Sequence, residues 1–181
     1  MGAARATRPL VEIRRACRDD MPQLCALLAE LFAQEADFTP DVERQRCGLA
    51  LILDNPDLGR VYCATESDVV IGMVTTLFTI STAEGGLVAW LEDMVVHPDW
   101  RRRSIGAHLL NRALAEARMA GCTRITLLTD NDNRQAMRLY ARAGFVRSAM
   151  VPFRLSLRSE SIGGPPPVPL WSEEHSSEGP A

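Results

Sequence analysis

The sequence contains no lysine: all 20 basic side chains among its 181 residues are arginine. That absence excludes a Schiff-base lysine and the lysine of a P-loop. No apolar run approaches the ~18 residues that span a bilayer, so no membrane partner is expected. The opening Met1-Gly2-Ala3-Ala4-Arg5-Ala6 supplies neither a secretory leader nor the hydroxyl residue of an N-terminal acylation signal. The five cysteines, Cys17, Cys25, Cys47, Cys63 and Cys122, include no Cys-x-x-Cys pair and are odd in number, which predicts reduced core thiols in a cytoplasmic protein. No spacing of His, Cys and carboxylates suggests a metal site, and no Gly-x-Ser-x-Gly elbow is present, so neither a metal nor a covalent acyl-enzyme is expected. Excess charge of one sign is scarce too. Of the 23 acids, Glu160, Glu173, Glu174 and Glu178 lie beyond the last arginine, Arg158, so the chain up to that point sets 19 acids against 20 arginines. The formal net charge of −3 comes from the tail, and no basic face for nucleic acid is expected.

What is present suffices for one domain with a buried core, at 46% hydrophobic and 24% charged residues. Residues 1–10 and 158–181 have loop composition, the latter carrying Gly163-Gly164-Pro165-Pro166-Pro167 and an acidic, Ser-rich end. They are expected to be a flexible N-terminus and a disordered tail around a domain over 11–157. Within it, Val11 to Ala16 alternates as a strand does. Asp19-Asp20-Met21-Pro22 then supplies a cap and an early proline before Leu24, Leu27, Leu28, Leu31 and Phe32, which share one helical face. A second helix is expected from after Thr39-Pro40 to Asp54, and a hairpin from Val61 to Thr65 and Val69 to Ile80 around Glu66-Ser67-Asp68. Leu87 to Val96 reads as a strand, Ile105 to Ala120 as a helix stopped by Gly121, and Ile125 to Thr129 as a strand. Asn133 to Ala143 reads as a helix and Phe145 to Leu157 as a last strand. The order β-α-α-β-β-β-α-β-α-β predicts an α+β fold, a mixed sheet with helices on its faces.

The most informative segment runs from Leu91 to Leu110. A strand, the turn His97-Pro98-Asp99-Trp100 and an abrupt helix start would gather unpaired N–H groups of the first helical turn in one small volume, an anion site strengthened by the helix dipole. Here Arg101-Arg102-Arg103-Ser104-Ile105-Gly106 resembles the pyrophosphate loop of the GNAT superfamily of acyl-CoA-dependent N-acetyltransferases, Gln/Arg-x-x-Gly-x-Gly/Ala. The likeness continues in the family's second signature, Asn133, Ala136, Tyr140 and Gly144-Phe145. It covers roughly residues 11 to 157 and implies a mostly antiparallel mixed sheet flanked by helices on both faces. Members commonly carry glycine at the positions of Arg102 and Ser104, where close approach of backbone to phosphate leaves little space for a Cβ. Serine can fit there if its φ is negative, and its hydroxyl could itself donate to an oxygen, so binding is expected to be weakened rather than abolished.

The resemblance implies acetyl-CoA as acyl donor. Its diphosphate would be held by N–H groups around Arg101, Arg102, Arg103, Ser104, Ile105, Gly106 and Ala107. The pantetheine arm would pair with the edge of Met94, Val95 and Val96 as an added strand, and Asn133 would cap its helix and reach the donor. Tyr140 is implied as the general acid that protonates the departing thiolate, and a phenol suits a proton donor at neutral pH. Glu92 matches the strand position of a carboxylate that binds or deprotonates the amine. Simple alternation sends Glu92 and Asp93 to opposite faces, so only one would face the acceptor.

The implied activity is direct transfer of an acetyl group to a primary amine in a ternary complex. A small-molecule amine is favoured because Glu30, Glu35, Asp37, Asp41 and Glu43 cluster where the family builds its acceptor cleft. The alternative reading is a catalytically weak or inactive acyl-CoA-binding protein of the same fold, and the resemblance leaves a homodimer open. His97 and His108 are weaker candidates for a base or a phosphate contact.

Overall fold

A computed structural model of the chain describes residues 11–34, 40–155 and 157, which fall into two units, one ending at Val146 and the other beginning at Arg147. The stretches expected as flexible N-terminus and disordered tail, and the acids Glu35 and Asp37, lie outside the described residues. The first unit is a five-stranded sheet in the order β1-β2-β3-β4-β5, with β1 Glu12–Arg15, β2 Gly59–Glu66, β3 Val69–Ser81, β4 Gly86–Val96 and β5 Ile125–Leu127. Strands β1 to β4 pair antiparallel, and only β4 with β5 is parallel. The helices are α1 Met21–Phe32, α2 Val42–Asp54, α3 Ile105–Met119 and α4 Arg134–Arg142. This is the mixed, mostly antiparallel sheet flanked by helices that the sequence implied.

Two cores lie on the two faces of the sheet. Leu24, Leu27 and Leu28 of α1 and Leu49 of α2 pack with Val61, Cys63, Met73 and Val95 on one face. Ile105, Leu109, Leu110 and Ala113 of α3, with Tyr140 of α4, pack with Tyr62, Ala64, Val74 and Leu91 on the other. Leu24 and Leu109 have no exposed surface, so truncating either to alanine would cost about 2 to 5 kcal/mol.

Local chemistry sets the element ends. Pro22 occupies the first turn of α1, where its missing N–H is no loss, and Asp41 caps α2 by accepting from the Arg44 N–H at 3.0 Å. Asp20 is spent differently from the expected cap: it receives the Arg14 guanidinium at 2.7 Å and the Cys17 N–H at 2.8 Å. The β2–β3 hairpin turns through Ser67 and Asp68 with both φ values positive, 51° and 66°, the geometry that matches strand twist in a two-residue turn.

Two expectations are corrected. Phe145 to Leu157 forms no strand among its described residues. Pro152 has no N–H to give to a ladder, Met150 N–H turns to the Ser148 hydroxyl at 3.1 Å, and Val151, Phe153 and Leu155 remain 71%, 95% and 83% exposed. The cysteines are not all core thiols either. Cys25 and Cys63 are buried, Cys122 is intermediate, and Cys17 and Cys47 are exposed. Burial pushes the Cys63 thiol up to about 11, which keeps it protonated and unreactive.

Candidate active site

β5 is short, and it meets β4 only at Ala89, Trp90 and Leu91. Among the described residues, no strand pairs with the corresponding edge of β4 beyond Leu91, so the sheet splits at the point where the two implied catalytic residues lie. The bond pattern on the other side of β4 explains its shape. Met73 of β3 faces Val95 and Thr75 faces Glu92, so Asp93 and Met94 together oppose Val74. This is a β-bulge, and its extra residue, Asp93, has φ of 44°. The bulge breaks the strict alternation assumed from sequence: Leu91 and Met94, three apart, both pack on the α3 and α4 face, while Val95 packs on the α1 and α2 face. Glu92 is exposed and stands in one row with Thr75 and Val61 on the α1 and α2 face.

Tyr140 approaches from the opposite face. It is 9% exposed, packs with Leu91, Ile105 and Leu109, and meets the Phe145 ring edge to face at a centroid distance of 5.8 Å. Burial alone raises its phenol above the usual value, so the group is protonated at neutral pH. Asn133 caps α4 by accepting the Ala136 N–H at 3.1 Å, which fixes the first turn of the helix that carries Tyr140.

Between β4 and α3 the chain makes a short 3-10 turn over Pro98–Trp100 and then the arginine loop. Arg101 braces this loop: its backbone N–H donates to Pro98 O at 3.2 Å, and its Nε donates to the Val96 carbonyl at 3.0 Å. Beyond it, among the described residues, the N–H groups of Arg102, Arg103, Ser104, Ile105, Gly106 and Ala107 find no backbone acceptor, and the helical pattern begins with His108 N–H to Ser104 O at 3.1 Å. Six unpaired amides at the N-terminus of a 15-residue helix, beside two exposed guanidiniums, suit an anion with several oxygens. Arg102 has φ of 64° and Ser104 of 62°. The negative φ that would let Ser104 fit without strain is therefore not found: the loop keeps the left-handed geometry that glycine favours, at about 1 to 2 kcal/mol per residue. Gly106 packs against Met94, Val96 and Leu139, and a Cβ there would meet their side chains at 3.7 to 3.8 Å, which is ordinary contact.

The remaining candidates separate from this centre. His97 Nδ1 accepts the Asp99 N–H at 3.3 Å and its ring abuts Trp100, while His108 is exposed on α3. Asp41 is paired with Arg44 at 2.9 Å and Glu43 with Arg46 at 3.2 Å, so these two acids belong to the charged face of α2, and Glu30 is exposed on α1. Sequence reading missed two polar residues on the α1 and α2 face, Gln45 and Thr75, both buried and neither with a hydrogen bond to its side chain. A polar residue four before Leu49, on the buried face of α2, is the signal that would have found Gln45. Among the described residues, no three His, Cys, Asp or Glu side chains gather as a metal site. No described helix is long and apolar enough to cross a membrane.

A split sheet with free amides at the neighbouring helix start offers a strand edge and an anion site side by side. The chain belongs to the acetyltransferase (GNAT) family, whose model matches residues 22–145. It is 31% identical over 140 residues to an aminoalkylphosphonate N-acetyltransferase of Salmonella typhimurium, covering 77% of this chain and 88% of that one. It is 28% identical over 148 residues to a thialysine N-epsilon-acetyltransferase of Bos taurus, covering 74% and 83%. Among solved structures it is similar to a predicted acetyltransferase with acetyl-CoA from Clostridium acetobutylicum, with a TM-score of 0.68 at 20% identity over 82% of this chain and 97% of that one. The protein is thus a transferase of a family that uses acetyl-CoA.

Proposed function

We propose that this protein moves the acetyl group of acetyl-CoA directly to the primary amine of a small molecule, in a ternary complex. The observation that carries the reading is the split of β4 from β5, with Glu92 on one face of the sheet and Tyr140 on the other. An amine entering from the α1 and α2 side meets the donor in the gap without passing through the sheet. Acetyl-CoA supplies the activated acyl carbon. The amides from Arg102 to Ala107, with Gly106 and the side chains of Arg102 and Arg103, hold its diphosphate, while Met94, Val95 and Val96 offer the strand edge to its arm. Arg101 acts as a brace through the Val96 carbonyl, and Asn133 positions the helix of Tyr140.

Only a neutral amine has a lone pair, so Glu92 takes the ammonium proton, directly or through water. The C–N bond then forms as the C–S bond breaks, Tyr140 gives its proton to the departing sulfur, and the proton that the nitrogen sheds on becoming an amide returns to the Tyr140 phenolate, directly or through water. The relatives that act on an aminoalkylphosphonate and on thialysine support a small amine acceptor. Unpaired Cys25 and Cys63 in the core fit a reducing cytoplasm.

The test is release of free CoA thiol across a panel of amines. Amine-dependent thiol is expected. Saturable acetyl-CoA binding without it would establish the alternative, an acyl-CoA-binding protein with no transfer, which the side chains at Arg102 and Ser104 motivate.

A further inference from the structure

Two polar side chains on the α1 and α2 face of the sheet are buried with their hydrogen-bonding capacity unspent. Gln45 is 6% exposed, and neither its Nε2 nor its Oε1 has a partner. Thr75 has no exposed surface, and its Oγ1 has no partner. Native interiors rarely tolerate this, because such groups lose water without gaining a replacement. The other orphaned atoms have different settings: Thr76 lies on the opposite face, in the row of Leu91, and Arg60 already gives its Nη1 to Glu116 at 3.2 Å.

The placement of the pair links it to the acceptor side of the site. Val61, Thr75 and Glu92 form one row across β2, β3 and β4, and directly opposed residues of an antiparallel pair have Cβ atoms about 5 Å apart on one face. Val61 packs in the same cluster as Leu49, and Gln45 stands one turn before Leu49 on α2. A carboxamide offers two N–H donors and one acceptor, and a hydroxyl offers one donor more. Thr75 opposes the carboxylate that attracts the amine, and Gln45 belongs to the helix that covers the same face, so these neutral donors suit a second, oxygen-bearing group on the same small molecule.

We infer that Gln45 and Thr75 select an acceptor that carries an oxygen-bearing polar group, such as a hydroxyl, carboxylate or phosphonate, a few bonds from its amine. This rests on the transferase reading above and adds the substrate class. A ligand that pairs with an otherwise orphaned carboxamide is distinguished sharply from an analogue lacking the group, because the analogue leaves the amide unpaired.

The experiment compares thiol release with propylamine and with aminopropylphosphonate, for the wild type, Gln45→Leu and Thr75→Val. The wild type is expected to favour aminopropylphosphonate in kcat/KM by about tenfold or more. Each variant is expected to lose most of that preference through a higher acceptor KM, with the KM for acetyl-CoA unchanged. The melting temperature of Gln45→Leu should hold or rise, since an unsatisfied amide is removed. Turnover by the variants at the wild-type ratio, or a lower melting temperature with the ratio intact, would overturn the inference alone. Absence of thiol release by the wild type with either amine would overturn the transferase reading and this inference with it.

Discussion

Arg102 and Ser104 both occupy left-handed backbone in the loop that opens α3, with φ of 64° and 62°. The loop therefore keeps its shape against the preference of the side chains it carries, and the free amides from Arg102 to Ala107 stay gathered at the helix start. Ser104→Gly is expected to stabilise the protein by up to about 1 kcal/mol, the relieved strain being partly offset by the entropy of the unfolded glycine. Ser104→Val should destabilise it, since a β-branched residue fits that region worst. Denaturant unfolding of the two variants checks both signs, and acetyl-CoA affinity should be no weaker in Ser104→Gly than in the wild type.

Tyr140→Phe should fold normally, because the phenol hydroxyl donates to no described group and the ring packing is retained. Turnover is expected to fall by about 100-fold or more, the range of a positioned acid, with acetyl-CoA affinity unchanged. Because burial holds the phenol above its ordinary value, any loss of turnover from deprotonating Tyr140 should fall on the alkaline limb of the wild-type pH profile, above about pH 10. Steady-state kinetics with a titration of binding separates the two effects.

Glu92→Gln removes the group that takes the amine proton. The variant should lose about 10-fold or more in kcat/KM at neutral pH. The deficit should shrink as pH rises toward the pKa of the acceptor, where the amine is neutral without help. A deficit constant across that range would show that Glu92 positions the acceptor and handles no proton.

Asp20 ties β1 to the start of α1. The Arg14 guanidinium holds its carboxyl at about 2, below the ordinary 3.8. A depressed carboxyl contributes stability that is present above about pH 4 and is lost as pH falls toward 2, here about 2 kcal/mol. Asp20→Asn should lose that amount near neutrality and differ little from the wild type at about pH 2. Unfolding curves at the two pH values test it.

Where the sequence carried a period, it carried the fold. Leu24, Leu27, Leu28 and Leu31 announced α1, and Leu109, Leu110, Ala113 and Leu114 announced α3, because burial on one face imposes the helical spacing directly. The alternation of Val151, Phe153 and Leu155 looks the same as that of a paired strand, yet pairing depends on a partner that no local pattern can specify. The bulge at Asp93 was equally hidden, since one extra residue leaves no mark in composition and is visible only in the register of Thr75 against Glu92. The loop itself was legible as an anion site, but the positive φ of Arg102 and Ser104 was not, because local propensity argues against that region for residues other than glycine. The brace from Arg101 to the Val96 carbonyl and the orphaned amide of Gln45 depend on contacts between elements far apart in sequence.

The most direct test of the central claim is the rate of thiol release from acetyl-CoA with and without a primary amine, for the wild type and Tyr140→Phe side by side. The account predicts release that requires the amine, saturates in both substrates and falls by about 100-fold in the variant while acetyl-CoA still binds. Release that is independent of amine, or equal in the two proteins, would contradict it.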